Sequence, residues 1–193
     1  MGKEVSKNSS REAVINVAQE LFAARGYTSV TLKDIAERLG IKQASLYYHF
    51  PGGKEDLFVE VTIHHLEQRR QGLEQVIAKV SSLGLEDCLN QLAKWLLTQP
   101  PLHVSRLVDS DLPALPKEKA AQIESVMDRS VIPAIAELFS RYHHGLRAEP
   151  FYIAATFLAV IEPIRTFKQY SPNGEEQMIA KSINLFLHGV VEK

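Results

Sequence analysis

Apolar residues recur at intervals of three and four along most of this 193-residue chain, whereas alternation with a period of two is absent. A spacing of three and four places side chains on one face of an α-helix, so the pattern predicts an all-α fold. The chain is 45% hydrophobic, which is enough to bury a sizeable core.

Capping and helix-breaking residues mark the expected helix boundaries. Ser9 followed by Glu12 is a capping-box pattern that predicts the start of the first helix, and Gly26 predicts its end. Pro133 and Pro163 fall inside helical patterns and should kink or break them. Further helices are expected at about residues 31–39, 42–49, 54–80, 85–99, 102–109, 117–144, 149–170 and 175–191.

The break at Pro51-Gly52-Gly53, followed by a long helical pattern, divides the chain into two expected domains. Residues 1–55 form a small amino-terminal domain, and residues 56–193 form a larger helical body. The chain as a whole has a net charge of −1, so any affinity for nucleic acid must come from local charge. Residues 1–54 contain eight basic and five acidic residues. This basic excess is modest, so it indicates nucleic-acid binding only together with a DNA-binding motif.

The spacing of Ala36, Gly40 and Leu46 is that of a helix-turn-helix. Two helices that cross closely require a small residue at position 36. The turn at position 40 requires a positive φ, which glycine adopts without strain. Leu46 then buries the inner face of the second helix, so residues 1–55 are predicted to be a three-helix DNA-binding domain.

Three stretches around this motif resemble the TetR family of transcriptional regulators: TLKDIAERLG at 31–40, IKQASLYYHF at 41–50 and KEDL at 54–57. The resemblance covers about a quarter of the chain, and the body beyond residue 60 resembles the family only in the number and length of its helices. The family usually has a single residue before the Lys-Glu pair. The longer Pro51-Gly52-Gly53 is similar to the LmrA and YxaF branch of small-molecule-sensing repressors.

The resemblance implies a ligand-responsive repressor that binds a palindromic operator in double-stranded DNA and is released by a small molecule. It places the second helix of the motif in the major groove, while Thr31 and Lys54 hold phosphates. Lys42 could donate to guanine and Gln43 could pair with adenine. The residues expected to contact DNA are Thr31, Lys42, Gln43, Ala44, Ser45, Tyr47, Tyr48, His49 and Lys54.

Three of these residues have structural alternatives. Tyr47 could pack under the domain, Lys42 could be a solvated lysine, and His49 could cap its own helix.

A domain of this size reads few base pairs, so the motif predicts a homodimer with recognition helices roughly 34 to 36 Å apart. The family pairs its last two long helices, and two apolar stripes occur there. Such a stripe is also typical of an intramolecular core. The expected interface residues are Phe157, Ile161, Ile164, Ile179, Ile183, Phe186, Leu187 and Val190.

The family's effector pocket lies inside the body, where aromatic side chains and a few polar groups should converge. The candidates are Trp95, His103, Arg106, Met127, Phe139, Phe157 and Glu162, and each of them could instead be ordinary core or surface. Because clustered charge is scarce in the sequence, an uncharged, aromatic or lipophilic effector is expected.

Composition favours a soluble, cytoplasmic protein without membrane partners. Cys88 is the only cysteine, so no internal disulfide can form. Residues 1–10 lack the apolar segment of a signal peptide, and no run approaches the roughly 18 apolar residues of a membrane span.

Catalysis is the main alternative function, but its motifs are absent from the sequence. No H-E-x-x-H pattern occurs, and neighbouring histidines such as His64 and His65 point about 100° apart on a helix. Gly52-Gly53-Lys54 lacks the other residues of a phosphate-binding loop. The sequence therefore predicts no enzyme, no metal and no cofactor.

Two further alternatives stay open. One is an architectural or activating DNA-binding protein without a small-molecule ligand. The other is a redox switch at Cys88, although its acidic neighbours Glu86 and Asp87 favour an inert, buried cysteine.

Overall fold

The computed structural model describes residues 2–142 and 146–190, with side chains described from Arg11 onward except that of Val190. Most residues in these ranges are helical and none forms a β-strand, which confirms the predicted all-α class. No described helix combines the length and apolar character needed to cross a membrane. The helices are α1 (Gly2–Arg25), α2 (Leu32–Leu39), α3 (Gln43–His49), α4 (Gly53–Val80), α5 (Leu85–Thr98), α6 (Val104–Arg106), α7 (Lys117–Met127), α8 (Val131–Ser140), α9 (Pro150–Ile161), α10 (Ile164–Phe167) and α11 (Gly174–Val190).

The chain forms two compact units. The first contains residues 1–66 and 102–126, and the second contains residues 67–101 and 127–193. The first unit is larger than the predicted domain 1–55, because the segment after α5 packs with the amino-terminal helices. The functional division at residue 55 stays a prediction.

The turn between α2 and α3 has the geometry that the sequence predicts. Gly40 has φ +66° and its N–H bonds back to Glu37 and Ala36 carbonyls, ending α2. Ala36 is buried between the helices, and Leu46 is fully buried on the inner face of α3. The helix-turn-helix is therefore held by one small residue, one glycine and one leucine.

The segment after α6 secures the carboxyl end of α1. Residues Leu107–Asp111 form a π-helical turn, in which Asp111 is buried. The Tyr27 N–H donates to Asp111 Oδ1 at 2.8 Å, and Arg106 Nη2 donates to the Phe22 and Ala23 carbonyls at 3.0 and 2.7 Å. Arg106 thus satisfies carbonyl groups that a helix end leaves without partners.

The second unit packs around one apolar core that contains residues from the second half of α4 and from α5, α8, α9, α10 and α11. Pro133 lies in the first turn of α8, where proline is tolerated, and Pro163 lies between α9 and α10. Both helical patterns are broken near these prolines, as predicted, because α7 ends at Met127 before Pro133 and α9 ends at Ile161 before Pro163. Residues 117–144 thus form two helices, and their predicted end at His144 lies outside the described residues.

The first helix begins earlier than predicted. It starts at Gly2 rather than at Ser9, so the capping-box prediction was wrong.

Candidate nucleic-acid interface

Helix α3 presents a polar face to solvent. Leu46 is 0% exposed, whereas Tyr47 and Tyr48 are 49% and 68% exposed. The residues at the start of the helix are also exposed: Lys42, Gln43, Ala44 and Ser45. An exposed helix of seven residues with its inner face anchored by a leucine can enter the major groove of a duplex.

The two tyrosines and His49 differ in their surroundings. The rings of Tyr48 and His49 meet edge to face with centroids 5.3 Å apart. His49 is partly buried, whereas Tyr47 is exposed rather than packed under the domain. This exposure leaves the Tyr47 ring accessible, and its DNA contact stays a prediction.

Thr31 caps α2 through a complete capping box. Its Oγ1 accepts from the Asp34 N–H at 3.1 Å, and the Asp34 carboxylate accepts from the Thr31 N–H at 2.7 Å. Hydrogen bonds from the Thr31 side chain and backbone hold the pKa of Asp34 below its ordinary value. The predicted phosphate contact of Thr31 would therefore come from an exposed residue at the start of a helix.

Lys54 has an internal partner that the sequence did not reveal. Its Nζ donates to the Tyr27 carbonyl at 3.0 Å and lies 4.2 Å from the centroid of the Tyr27 ring. An ammonium group has three N–H donors, so a phosphate contact remains compatible with this bond.

A cleft of about 350 Å³ lies in the first unit between the end of α3 and α7. Asp56 in its wall pairs with Lys119 at 2.5 Å, and Glu60 pairs with Arg11 at 2.5 Å. The hydrogen bond from Lys119 lowers the pKa of Asp56. The charges around this cleft neutralise one another.

The predicted effector residues fall in both units. His103 and Arg106 belong to the first unit, where His103 is exposed and Arg106 holds the end of α1. The others belong to the second unit: Trp95, Met127, Phe139, Phe157 and Glu162. Phe139 and Phe157 are core residues there, with ring centroids 6.4 Å apart.

Trp95 and Glu162 both lie against α4. Glu162 pairs with Arg69, a buried arginine of α4 that the sequence analysis missed. Trp95 packs over Gly72, since a Cβ atom at Gly72 would lie 2.4 Å from its ring. One sequence feature could have identified Arg69: it is a basic residue at a helix position where the pattern otherwise has apolar residues.

The predicted interface residues pack largely within the protomer. Six of them are at most 6% exposed and offer little surface to a second chain: Phe157, Ile161, Ile164, Ile179, Ile183 and Phe186. Leu187 is partly buried against the same core, and the side chain of Val190 lies outside the described residues. The six residues belong to the core of the second unit, and the homodimer interface stays a prediction.

Comparisons with known proteins connect this geometry to a family. The model for bacterial regulatory proteins of the tetR family matches residues 14–61, which contain α2 and α3. The HTH-type transcriptional regulator LmrA of Bacillus subtilis (strain 168) is 42% identical over 67 residues, covering 35% of this chain and 36% of LmrA. The biofilm operon icaADBC HTH-type negative transcriptional regulator IcaR of Staphylococcus aureus (strain Newman) is 48% identical over 44 residues, covering 23% of this chain and 24% of IcaR.

The fold of the whole chain also has a solved counterpart. The crystal structure of AibR in complex with isovaleryl coenzyme A and operator DNA has a TM-score of 0.67 and 21% identity, and the likeness covers 91% of this chain and 96% of AibR. At that identity the likeness shows a shared fold alone. The sequence match itself spans about a third or less of the length of the two curated relatives.

Both relatives are named HTH-type transcriptional regulators. The family match covers the residues that build the helix-turn-helix, including Gly40 and the exposed face of α3. Residues 14–61, about a quarter of the chain, therefore resemble bacterial regulatory proteins of the tetR family.

Proposed function

We propose that this chain is a ligand-responsive transcriptional repressor of the cytoplasm, whose homodimer binds a palindromic operator in double-stranded DNA. The observation that carries the proposal is the exposed polar face of α3, held by the fully buried Leu46. The family of the amino-terminal domain supports regulation of transcription. IcaR, a relative of this domain, is named a negative regulator, which supports repression.

Sequence reading would come from the first residues of α3. The amide of Gln43 can pair with adenine N6 and N7, and Lys42 can donate to guanine O6 and N7. Tyr48, 68% exposed, can reach phosphates or thymine methyl groups. Thr31 and Lys54 would fix the position of the domain through phosphates rather than read bases.

Dimerisation would use the outer faces of α9 and α11. Tyr152 on α9 is 63% exposed and Leu185 on α11 is 75% exposed, so both are available to a second copy. A two-fold dimer matches the symmetry of a palindromic site. Light scattering at micromolar concentration should give the mass of a dimer, and a monomer would contradict the proposed assembly.

Release from the operator would follow from differential ligand affinity. A small molecule that binds one conformation of the body more tightly shifts the population toward that conformation. If the favoured conformation holds the two α3 helices at a spacing that differs from one turn of DNA, the operator is released. AibR, which shares the fold, is described with both a ligand and operator DNA, which supports a combined function of this kind.

Selection of bound DNA from a random pool tests the DNA-binding half directly. We expect a palindrome whose half-sites lie about one helical turn apart. Recovery of unrelated sequences would contradict operator recognition.

The recovered palindrome then allows a test of α3. Gln43→Ala and Tyr48→Ala should weaken binding to the palindrome much more than binding to random DNA. Asn16→Ala is the matched control, because Asn16 is an exposed residue of α1 in the same unit. Equal losses on both DNAs would remove the base-reading role of these two residues.

A further inference from the structure

Two arginines share one carboxylate in the second unit. Arg69 on α4 pairs with Glu162 Oε1, and Arg165 Nε on α10 donates to Glu162 Oε2 at 2.7 Å. We name these three residues the Arg69 cluster. The side chain of Arg69 is only 2% exposed, and those of Glu162 and Arg165 are 27% and 20% exposed.

The charges of the Arg69 cluster do not balance. Two guanidinium groups face one carboxylate, which leaves one positive charge in excess. The other acceptors are neutral carbonyls, since Arg69 donates to Pro100 O at 2.9 Å and Arg165 donates to Leu97 O at 2.8 Å. Buried charge is normally paired, so the excess is unusual.

Arg69 also has a donor without an acceptor. Its Nε is buried, and no hydrogen-bond partner for it occurs among the described residues. Buried polar atoms nearly always have a partner, either in the protein or in ordered water, so an unpartnered buried donor needs an explanation. Burial lowers the pKa of Arg69 and the Glu162 charge opposes that shift, so the guanidinium is desolvated without full compensation.

An aromatic surface lies beside this donor. Gly72 follows Arg69 by three residues on α4, which places the two on the same helix face. The Trp95 ring rests directly on Gly72, where a Cβ atom would meet Cζ2 at 2.4 Å. Trp95 is partly buried against the apolar core of the unit. The Trp95 ring of α5 therefore packs on α4 at a position less than one helical turn from Arg69.

We propose that the Arg69 cluster is a binding site for a carboxylate, and that the effector is a small apolar or aromatic acid whose carboxylate binds Arg69 Nε and whose apolar part contacts Trp95. One added negative charge would balance the cluster and supply the missing acceptor. This proposal rests on the proposed ligand-responsive function and replaces the expected uncharged effector. The sequence suggested no clustered charge, whereas the fold brings Arg69, Glu162 and Arg165 together.

The position of Arg69 suits a sensor. Helix α4 contributes residues up to Leu66 to the first unit and residues from Glu67 to the second. A ligand on Arg69 therefore contacts the helix that follows α3 after a connection of three residues.

Trp95 is the only tryptophan of the chain, so its fluorescence reports on this site alone. The full-length protein is titrated with benzoate and hexanoate, and with the neutral benzamide and hexanamide as matched probes. We expect both acids to change Trp95 emission saturably and to bind at least about tenfold more tightly than the amides, a difference of about 1.4 kcal/mol. Absence of saturable binding of either acid at millimolar concentration would overturn the proposal.

Two variants should change the affinity for the acids in opposite directions. Arg69→Gln should weaken acid binding at least about tenfold. Glu162→Gln should tighten it, because the competing carboxylate is removed. Arg70→Gln is the matched control, since Arg70 forms a surface pair with Glu74 one helical turn away and should leave binding unchanged.

Circular dichroism shows whether each variant is folded. If Arg69→Gln does not fold, the Glu162→Gln variant tests the proposed site instead. A cluster with only a structural role predicts no gain in acid affinity for this variant.

The fluorescence titration contains no DNA, so it tests the acid-binding site independently of the proposed DNA-binding function. Acid binding without any effect on affinity for the selected palindrome would leave the site standing and contradict release by this ligand. Operator binding without acid binding would overturn the site and leave the DNA-binding function standing.

Discussion

Replacement of Asp111 is expected to destabilise the first unit by breaking the contact between the π-helical turn and the end of α1. Asp111 is 4% exposed, accepts from the Tyr27 N–H at 2.8 Å and lies 3.6 Å from Arg106 Nε. The Asp111→Ala variant leaves a buried backbone N–H without an acceptor. It also leaves Arg106 without its carboxylate, although the Phe22 and Ala23 carbonyls remain as acceptors.

The magnitude follows from these contacts. An unsatisfied buried donor costs about 1–3 kcal/mol. The loss of the charge opposite Arg106, whose side chain is 30% exposed, adds up to about 1 kcal/mol. We therefore expect Asp111→Ala to lower the free energy of unfolding by about 1–4 kcal/mol. The Asp111→Asn variant keeps an oxygen for Tyr27 and should lose about 1 kcal/mol.

Urea unfolding at a fixed protein concentration measures both losses. Asp109→Ala is the matched control, because Asp109 is an exposed aspartate of the same turn and should change stability by less than about 0.5 kcal/mol. Equal losses for the alanine and asparagine variants would refute the reasoning, since only alanine removes the acceptor for Tyr27. A loss as small as that of the control would refute it too.

Three further outcomes are expected. Gly40→Ala should lower the free energy of unfolding in urea by about 1–2 kcal/mol, because φ is +66° at this residue. No atom lies within 4 Å of the added Cβ, so backbone strain alone causes the loss. Gly189→Ala in α11, which is equally open, should be neutral or slightly stabilising. Lys54→Ala should reduce the salt-dependence slope of DNA binding by about 1, and an unchanged slope would limit Lys54 to its internal bond. Because Thr31 lowers the pKa of Asp34, the stability that this bond gives is present above the ordinary pKa of about 3.9 and is lost as pH falls through the lowered value. Asp34→Asn should flatten the acid limb of a stability profile, and an unaltered limb would contradict this.

The helix-turn-helix could be predicted from the sequence because its determinants are local. The capping box at Thr31 and the positive φ at Gly40 depend on neighbours within a few residues. The start of α1 could not be predicted in the same way. Ser9 and Glu12 match a capping pattern, but a residue with cap propensity also occurs within a longer helix when the preceding residues continue it.

The apolar stripes of α9 and α11 show a different limit. Periodicity identifies which face of a helix is buried, but it does not identify the surface that covers that face. Ile161 and Ile183 pack against their own protomer, and Leu185 projects outward from the same helix as Ile183. A stripe at this spacing therefore predicts that a helix face is buried, whereas the surface that a second copy would cover stays a prediction.

The Arg69 cluster was beyond prediction because its members are far apart in sequence. Arg69 and Glu162 are separated by 93 residues, and each residue alone is typical of a helix surface. Burial gives the pair its chemical character, since a guanidinium removed from water requires acceptors that a solvated one does not. Local sequence thus encodes the helix-turn-helix of α2 and α3, whereas the Arg69 cluster arises from tertiary contacts between distant residues.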